Sequence, residues 1–175
     1  AIIIPQFSVV KNNDEDINYF RLDSITFDGE ITTATVNCME GQLVACESDS
    51  DNIISIKHLD DNFRYYLPEV QIAENGIFVY NINDSSLSNR WEQVDNLNIQ
   101  QLQKPCYKFG YDSVKNLPYL QFPEDISAII EDGLLIYFTR TNGVNGNISQ
   151  GTLSSIEVPT STSTDSTDEI STNQS

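Results

Sequence analysis

Five of the eight glycines in this 175-residue chain follow an asparagine or an aspartate, and these pairs divide the sequence into short runs. The pairs are Asp28-Gly29, Asn75-Gly76, Asp132-Gly133, Asn142-Gly143 and Asn145-Gly146. Such pairs tolerate positive φ at both central positions of a tight turn, as type I′ hairpin turns require. The chain is therefore predicted to fold as short strands joined by tight turns.

The runs between these turns have the composition of β-strands. Residues 33–38 alternate apolar and polar side chains, which predicts a half-buried strand followed by a turn at Glu40-Gly41. Runs rich in β-branched and aromatic residues predict further strands at 43–46, 77–80, 90–94, 106–111, 117–122 and 134–139. The predicted fold class is mainly β: an antiparallel β-sandwich-like domain, built as one unit or as two small β subdomains.

One short helix is predicted at residues 123–130. Pro123 and the two acids that follow favour a helix start, and Ile126, Ile129 and Ile130 fall on one helical face. Asp132-Gly133 ends this helix and turns the chain into the next strand.

The composition changes after Pro159, because ten of the last 16 residues are serine or threonine. A segment of this kind buries too little apolar surface to offset the entropy of ordering its backbone. The predicted organisation is a β-rich module at 1–158 and a disordered Ser/Thr-rich linker or tail at 159–175.

The charge of the chain limits its partners. Nine Lys and Arg stand against 26 Asp and Glu, a formal net charge of −17, which disfavours nucleic acid and anionic membrane surfaces. No run approaches the roughly 20 apolar residues of a membrane span, so no membrane insertion is predicted. The sequence opens without Met inside an apolar run, which suggests a processed chain or a piece of a longer one. Cys38, Cys46 and Cys106 are unclustered, which favours free thiols in a reducing compartment.

Catalytic and metal-binding patterns are weak. His58 is the single histidine, the cysteines lack C-x-x-C spacing, and no nucleophile elbow or nucleotide-binding glycine motif occurs. The acidic run 47–51 lacks the glycine and the distal glutamate of an EF-hand loop. No catalytic residue, cofactor or metal is therefore predicted. A hydrolase using Cys106 with His58, or a convergent acid pair, is the less favoured alternative.

A polar segment at residues 139–151 resembles a known signature. It reads like the T-x-G-x-x-G-N-(I/V)-x-x-G-T turn near the end of the β-domain in phage baseplate J-like proteins, a family that includes T-even-type baseplate wedge proteins of contractile tails. The matching positions are Thr141, Gly143, Gly146, Asn147, Ile148 and Gly151. Other segments resemble the family in the expected order: 3–7, 35–41, 75–79 with 90–94, and 107–112 with 119–123.

The resemblance covers roughly residues 2–157 and departs from the family in two respects. The family's F-G-D-G turn is replaced by Phe122-Pro123-Glu124-Asp125, and its flanking α-helical regions are absent. The resemblance implies a structural component of the virion, a baseplate wedge module assembled in the host cytoplasm. It implies homo-oligomeric and heteromeric contacts with other tail proteins in a symmetric ring, without catalysis or cofactor.

A second interpretation is a receptor- or glycan-binding domain of a phage tail or bacterial surface protein. It requires an exposed set of aromatic rings on which a ligand can stack. The residues that could supply such a platform are Tyr65, Tyr66, Tyr80, Trp91, Tyr111 and Tyr119. At strand spacing, rings of this kind are more often core residues or cross-strand pairs.

Overall fold

The computed structural model describes residues 2–12, 18–29, 33–46, 53–97, 104–126, 132–141 and 153–157. Within these ranges the regular structure is almost entirely β, which confirms the mainly β fold class with several antiparallel sheets. The strands are β1 (Ile2–Ile4), β2 (Val9–Asn12), β3 (Asn18–Arg21), β4 (Ile25–Phe27), β5 (Cys38–Glu40), β6 (Gln42–Ala45), β7 (Arg64–Tyr66), β8 (Ile72–Asn81), β9 (Glu92–Gln93), β10 (Cys106–Asp112), β11 (Leu117–Gln121), β12 (Leu134–Arg140) and β13 (Leu153–Glu157). A 3-10 turn at Ile56–His58 precedes β7.

The chain divides into two compact units. One unit contains the two ends of the sequence, Ala1–Leu43 and Thr141–Ser175, and the other contains the middle, Val44–Arg140. By their place in the sequence alone, we call them the outer unit and the central unit. In the outer unit, β1 pairs with β4, and a second sheet has the order β13-β2-β3-β5. The central unit is built on two sheets with the orders β7-β11-β10-β9 and β6-β12-β8.

The central unit has the core of a β-sandwich, because residues from both of its sheets pack into one apolar cluster. Leu120 of β11 and Tyr107 of β10 share this cluster with Val79 of β8 and Ile136 of β12. Along β11 the even positions are buried and the odd positions half-buried, as expected when successive side chains point to opposite faces. Two sheets that bury their inner faces against each other define the predicted sandwich-like arrangement.

The half-buried strand predicted at 33–38 is wrong. Residues 33–37 are exposed and irregular, and β5 begins at Cys38. The partner strand β3 pairs Tyr19, Phe20 and Arg21 with Glu40, Met39 and Cys38, and β3 ends at that point. The small alternating side chains before Cys38 therefore have no neighbouring strand with which to form a ladder.

The turn predicted at Asn75-Gly76 is also wrong, because this pair lies inside β8. A Cβ atom at Gly76 would come within 2.6 Å of the Cβ atom of Thr139 on the neighbouring strand. The same Cβ would come within 2.9 Å of the Cβ atom of Ala73, and the register of β8 against β12 shifts between Ile72 and Ile77. Gly76 therefore belongs to an irregularity within a strand and to a close approach between strands, not to a turn that joins two strands. At the predicted Asp132-Gly133 turn, by contrast, Gly133 has a φ of +126° and leads into β12.

Two further predictions fall largely outside the described residues. The predicted helix at 123–130 is described only as far as Ile126, which is fully buried and donates its backbone N–H to Pro123. The glycine pairs at 142–143 and 145–146 and the predicted tail at 159–175 lie outside the described residues.

Candidate functional site: open and closed strand edges

The first candidate surface is a two-stranded ribbon in the outer unit. We call β1 (Ile2–Ile4) and β4 (Ile25–Phe27), paired antiparallel with Ile3 opposite Thr26, the ribbon. In the described ranges its sheet consists of these two strands alone, so each strand has an edge without a partner strand. Ile2 and Ile3 are 57% and 64% exposed. The ribbon therefore combines strand edges that lack a partner strand in the described ranges with two exposed apolar side chains.

A buried arginine ties the ribbon to the rest of the outer unit. Arg21 at the end of β3 is fully buried, and one of its guanidinium nitrogens donates to the carbonyl oxygen of Ile4 at 3.1 Å. A second nitrogen donates to the backbone carbonyl of Asp23 just before β4. Burial lowers the pKa of Arg21, while nearby Cys38 and Asp23 act in the opposite direction. Arg21 therefore anchors the last residue of β1 and the segment just before β4, while Ile2 and Ile3 stay exposed.

The turn motif that carries the family resemblance is described at one position only. The Thr141 hydroxyl donates to a carboxylate oxygen of Glu40 at 2.8 Å, next to the turn after β5. The remaining motif residues, Gly143, Gly146, Asn147, Ile148 and Gly151, lie outside the described residues.

In the central unit, a side chain closes the outer edge of β7. The backbone N–H of Arg64 donates to Oδ1 of Asp60 at 2.9 Å, and the Arg64 carbonyl accepts from the Asp60 N–H at 3.0 Å. The same Oδ1 accepts from the N–H of Asn62, and the Tyr66 hydroxyl donates to Oδ2. Burial alone would raise the pKa of the Asp60 carboxyl. The hydrogen bonds from Arg64, Asn62 and Tyr66 and the charge of Arg64 instead hold this pKa below its ordinary value.

A backbone group and a side chain together cover the edge of β8 that faces away from β12, which we call the β8 edge. The backbone N–H of Trp91 donates to the carbonyl of Val79 at 2.9 Å. Further along the same edge, the Arg90 guanidinium donates to the carbonyls of Ile77 at 2.6 Å and Asn75 at 3.4 Å. One edge strand of each sheet of the central unit, β7 in the first and β8 in the second, is thus covered by a polar side chain.

The six aromatic residues considered for a ligand platform do not form one. Tyr80 and Trp91 are buried, and Tyr65 packs against the apolar core. Tyr111 is 53% exposed, but its position along β10 places it on the inward-facing side of the strand, opposite the buried Pro118. Only two of the six rings therefore share the outer face of a sheet.

Those two rings are Tyr66 and Tyr119, which pair across β7 and β11 with centroids 5.9 Å apart. The Lys115 ammonium lies 3.6 Å from the Tyr66 centroid, and the Arg64 guanidinium lies 4.4 Å from the Tyr119 centroid. Each ring thus has a cation over one face, an arrangement that stabilises the sheet surface itself. A sugar stacking on these faces would have to displace the cations.

His58 and Cys106 are the two residues named above for a hydrolase. The Nδ1 atom of His58 accepts the backbone N–H of Ser55 at 2.9 Å, and no hydrogen bond among the described residues joins His58 to Cys106. Burial raises the pKa of the Cys106 thiol, and the carboxylates of Glu92 and Asp125 raise it further. Burial raises the pKa of Cys46 to about 12. Both thiols are therefore protonated and weakly nucleophilic at neutral pH.

Metal ligands are likewise dispersed in the described part of the chain. No three His, Cys, Asp or Glu side chains there lie close enough to hold a metal ion. The acidic run at 47–51 lies outside the described residues. No helix in the described ranges has the length and hydropathy to cross a membrane.

Sequence reasoning missed the two residues that cover strand edges. Asp60 carries a usable signal, because Asp60-Asp61-Asn62 has the composition of an Asx turn in which the carboxylate accepts the N–H two residues on. Arg90 carries none, since its partners Asn75 and Ile77 lie 15 and 13 residues earlier. Its role depends on where the loop between β8 and β9 returns.

Comparison of the chain with protein-family models, curated proteins and solved structures finds no match. The resemblance to the baseplate J-like family therefore stays a sequence-based hypothesis.

Proposed function

We propose that this chain is a structural assembly module of a contractile phage tail, a baseplate-wedge-like domain that docks other tail proteins through the ribbon. The order of family-like segments along the sequence supports the family. The mainly β fold of several small sheets is compatible with such a module. In this proposal the chain works through protein–protein contacts in a symmetric ring, in the virion, without a cofactor.

The ribbon is the observation that carries this proposal. An isolated two-stranded sheet is only marginally stable in water, and unpaired strand edges are templates for strand addition by a partner. Ile2 and Ile3 offer exposed β-branched side chains beside those edges. All six ribbon residues are uncharged in a chain whose net charge is −17, so a partner strand can dock there without burying a carboxylate.

The receptor- or glycan-binding alternative receives less support. Such a site needs aromatic faces that are open to a ligand. Lys115 and Arg64 already stack on Tyr66 and Tyr119, the two rings that share an outer sheet face. Ile2 and Ile3 of the ribbon, in contrast, are 57% and 64% exposed, which favours docking of protein over stacking of sugar.

The proposal is tested on the particle that contains the parent protein. Cryo-electron microscopy combined with crosslinking mass spectrometry is expected to place this domain in a ring around the tail tube, with the ribbon under a neighbouring subunit. A distal domain with a solvent-exposed ribbon would overturn the proposal and make a glycan array the next experiment.

A matched pair of variants sharpens the test. Ile3→Lys places a charge on the ribbon, whereas Val114→Lys places one at a 93% exposed apolar position in the β10–β11 hairpin. We expect Ile3→Lys to be lost from assembled particles and Val114→Lys to be incorporated like the parent. Equal incorporation of the two variants would contradict docking through the ribbon.

A further inference from the structure

The pair Asn75-Gly76 lies in an irregular part of β8. The paired register with β12 shifts between Phe138 and Arg140, so residues 73–76 of β8 lie opposite Thr139 alone. Such a surplus of residues on one strand is the arrangement of a β-bulge, in which the extra residues are left without ladder partners. The backbone of this pair is therefore outside the regular ladder between the two strands.

Two features of the pair favour a reaction of the asparagine side chain with the next backbone nitrogen. The Asn75 side chain is exposed, and no hydrogen bond or ion pair joins its amide group to another described residue. Gly76 has no Cβ atom, so its nitrogen can approach the Cγ atom of Asn75 without the crowding that a side chain would cause. The electrophilic carbon and the backbone nitrogen are thus both accessible to each other.

From this arrangement we infer that Asn75-Gly76 is a site of spontaneous modification, at which the backbone nitrogen of Gly76 attacks the Cγ atom of Asn75. A C–N bond forms, and the side-chain nitrogen leaves as ammonia with the proton of the Gly76 amide. Water then opens the resulting five-membered imide at one of its two C–N bonds. Breaking the bond to Cγ yields aspartate, whereas breaking the bond to the backbone carbonyl carbon yields isoaspartate. The inference is independent of the function proposed for the ribbon.

Arg90 restrains this reaction through the backbone carbonyl of Asn75. That oxygen and the Gly76 nitrogen belong to one planar peptide unit, so a donor on the oxygen also fixes the direction of the nitrogen. The Arg90 guanidinium donates to the Asn75 oxygen at 3.4 Å, which is longer than a typical hydrogen bond, and to the Ile77 oxygen at 2.6 Å. The restraint on Asn75 is therefore weak, and it slows the reaction without preventing it.

The same guanidinium suits the isoaspartate product. In isoaspartate the chain continues through Cγ, and the free carboxylate is the former backbone carbonyl of Asn75, the group to which Arg90 donates. A hydrogen bond from a guanidinium to a carboxylate is stronger than one to a neutral carbonyl. The modification therefore introduces a negative charge beside Arg90, in a segment, 75–79, that carries no charge before the reaction.

The test follows the full chain in warm, mildly alkaline buffer made with water that carries heavy oxygen. Peptide mapping by mass spectrometry is expected to show deamidation and one incorporated heavy oxygen at Asn75, more slowly in the folded chain than in the chain unfolded in guanidinium chloride. A protease that cleaves before aspartate but not before isoaspartate separates the two products. Conversion of the unfolded chain with none at Asn75 in the folded chain would overturn the inference, and equal rates would overturn the restraint.

A pair of variants tests the role of Arg90. Arg90→Ala is expected to raise the rate at Asn75 severalfold, because the peptide unit loses its donor. Asp60→Asn weakens the edge of β7 instead and is the control for a general loosening of the chain, so its rate at Asn75 is expected to equal that of the parent. A thermal melt checks that both variants are folded. An unchanged rate in Arg90→Ala, or an equal rise in both variants, would overturn the restraint.

Discussion

The ribbon of the outer unit and the β8 edge of the central unit are both places where a strand lacks a second neighbour, yet they differ in chemistry. At the β8 edge, Arg90, Tyr107 and Trp91 engage the outward carbonyls. Beside the ribbon, the buried Arg21 reaches only the inner end, at Ile4, and leaves Ile2 and Ile3 exposed. Of the two edges, the ribbon is therefore the one at which the proposed docking is expected.

The largest loss of stability is expected at Trp91, whose backbone bonds the edge of β8 and whose side chain packs in the core. Trp91 is 2% exposed and packs edge-to-face on Phe122 with ring centroids 5.7 Å apart. Removing so large a buried ring leaves a cavity, so Trp91→Ala is expected to lower the free energy of unfolding by about 3–5 kcal/mol. Urea unfolding measures this loss, with Val70→Ala at an exposed position as the control. A loss as small as that of the control would contradict the buried position of Trp91.

A smaller effect is expected when only the side chain over the β8 edge is removed. Arg90→Ala loses hydrogen bonds to two carbonyls and the contact with Phe78, which predicts a loss of about 1–2 kcal/mol in unfolding free energy. The control is Arg140→Ala, since Arg140 is also accessible but pairs with Glu69 in a surface ion pair. Equal losses for the two variants would mean that the edge contacts add nothing to an ordinary surface arginine.

The edge of β7 is expected to depend on pH through Asp60. The pKa of this carboxyl is lowered in the folded chain, so its contribution to stability is present above the pKa of the unfolded chain and is lost as pH falls through the folded value. Asp60→Asn is therefore expected to flatten the acid limb of the stability curve below about pH 5. Chemical unfolding at a series of pH values measures the slope. Asp61→Asn, at an exposed neighbour, should leave the slope nearly unchanged.

The smallest effect on stability is expected at the ribbon. A substitution there separates the proposed docking from folding. Ile3→Lys changes an exposed side chain, so the unfolding free energy of the isolated chain should stay within about 0.5 kcal/mol of the parent. Assembly, in contrast, is expected to be lost. A large loss of stability in the isolated chain would show that Ile3 is buried in solution and would remove the ribbon as a docking surface.

Strand positions were the part of the fold that local sequence predicted best. The runs at 106–111, 117–122 and 134–139 correspond closely to β10, β11 and β12, because β-branched and aromatic residues fill half-buried, pleated positions. The run at 33–38 failed although it alternates well, since alternation becomes a strand only where a neighbour extends beside it. The turn prediction at Asn75-Gly76 failed because glycine suits a close approach between strands as well as a tight turn.

The candidate surfaces were less accessible to sequence reasoning than the fold. Unpaired strand edges are natural docking surfaces, but the sequence does not show which strands keep one. Arg90 illustrates the reason: its contacts with Asn75 and Ile77 depend on a loop that brings it back along β8. The resemblance turn at Thr141 to Gly151 contributed one described contact, from Thr141 to Glu40.

The sequence by itself determined the β class, because its apolar residues come in short runs separated by turn-forming pairs and its glycines and β-branched residues disfavour long helices. It also determined the acidic character that disfavours nucleic acid and anionic membranes. Only the tertiary structure decided which edges are covered and which aromatic faces are occupied. The physical reason is that backbone periodicity is local, whereas an edge is closed by a donor from a distant part of the chain.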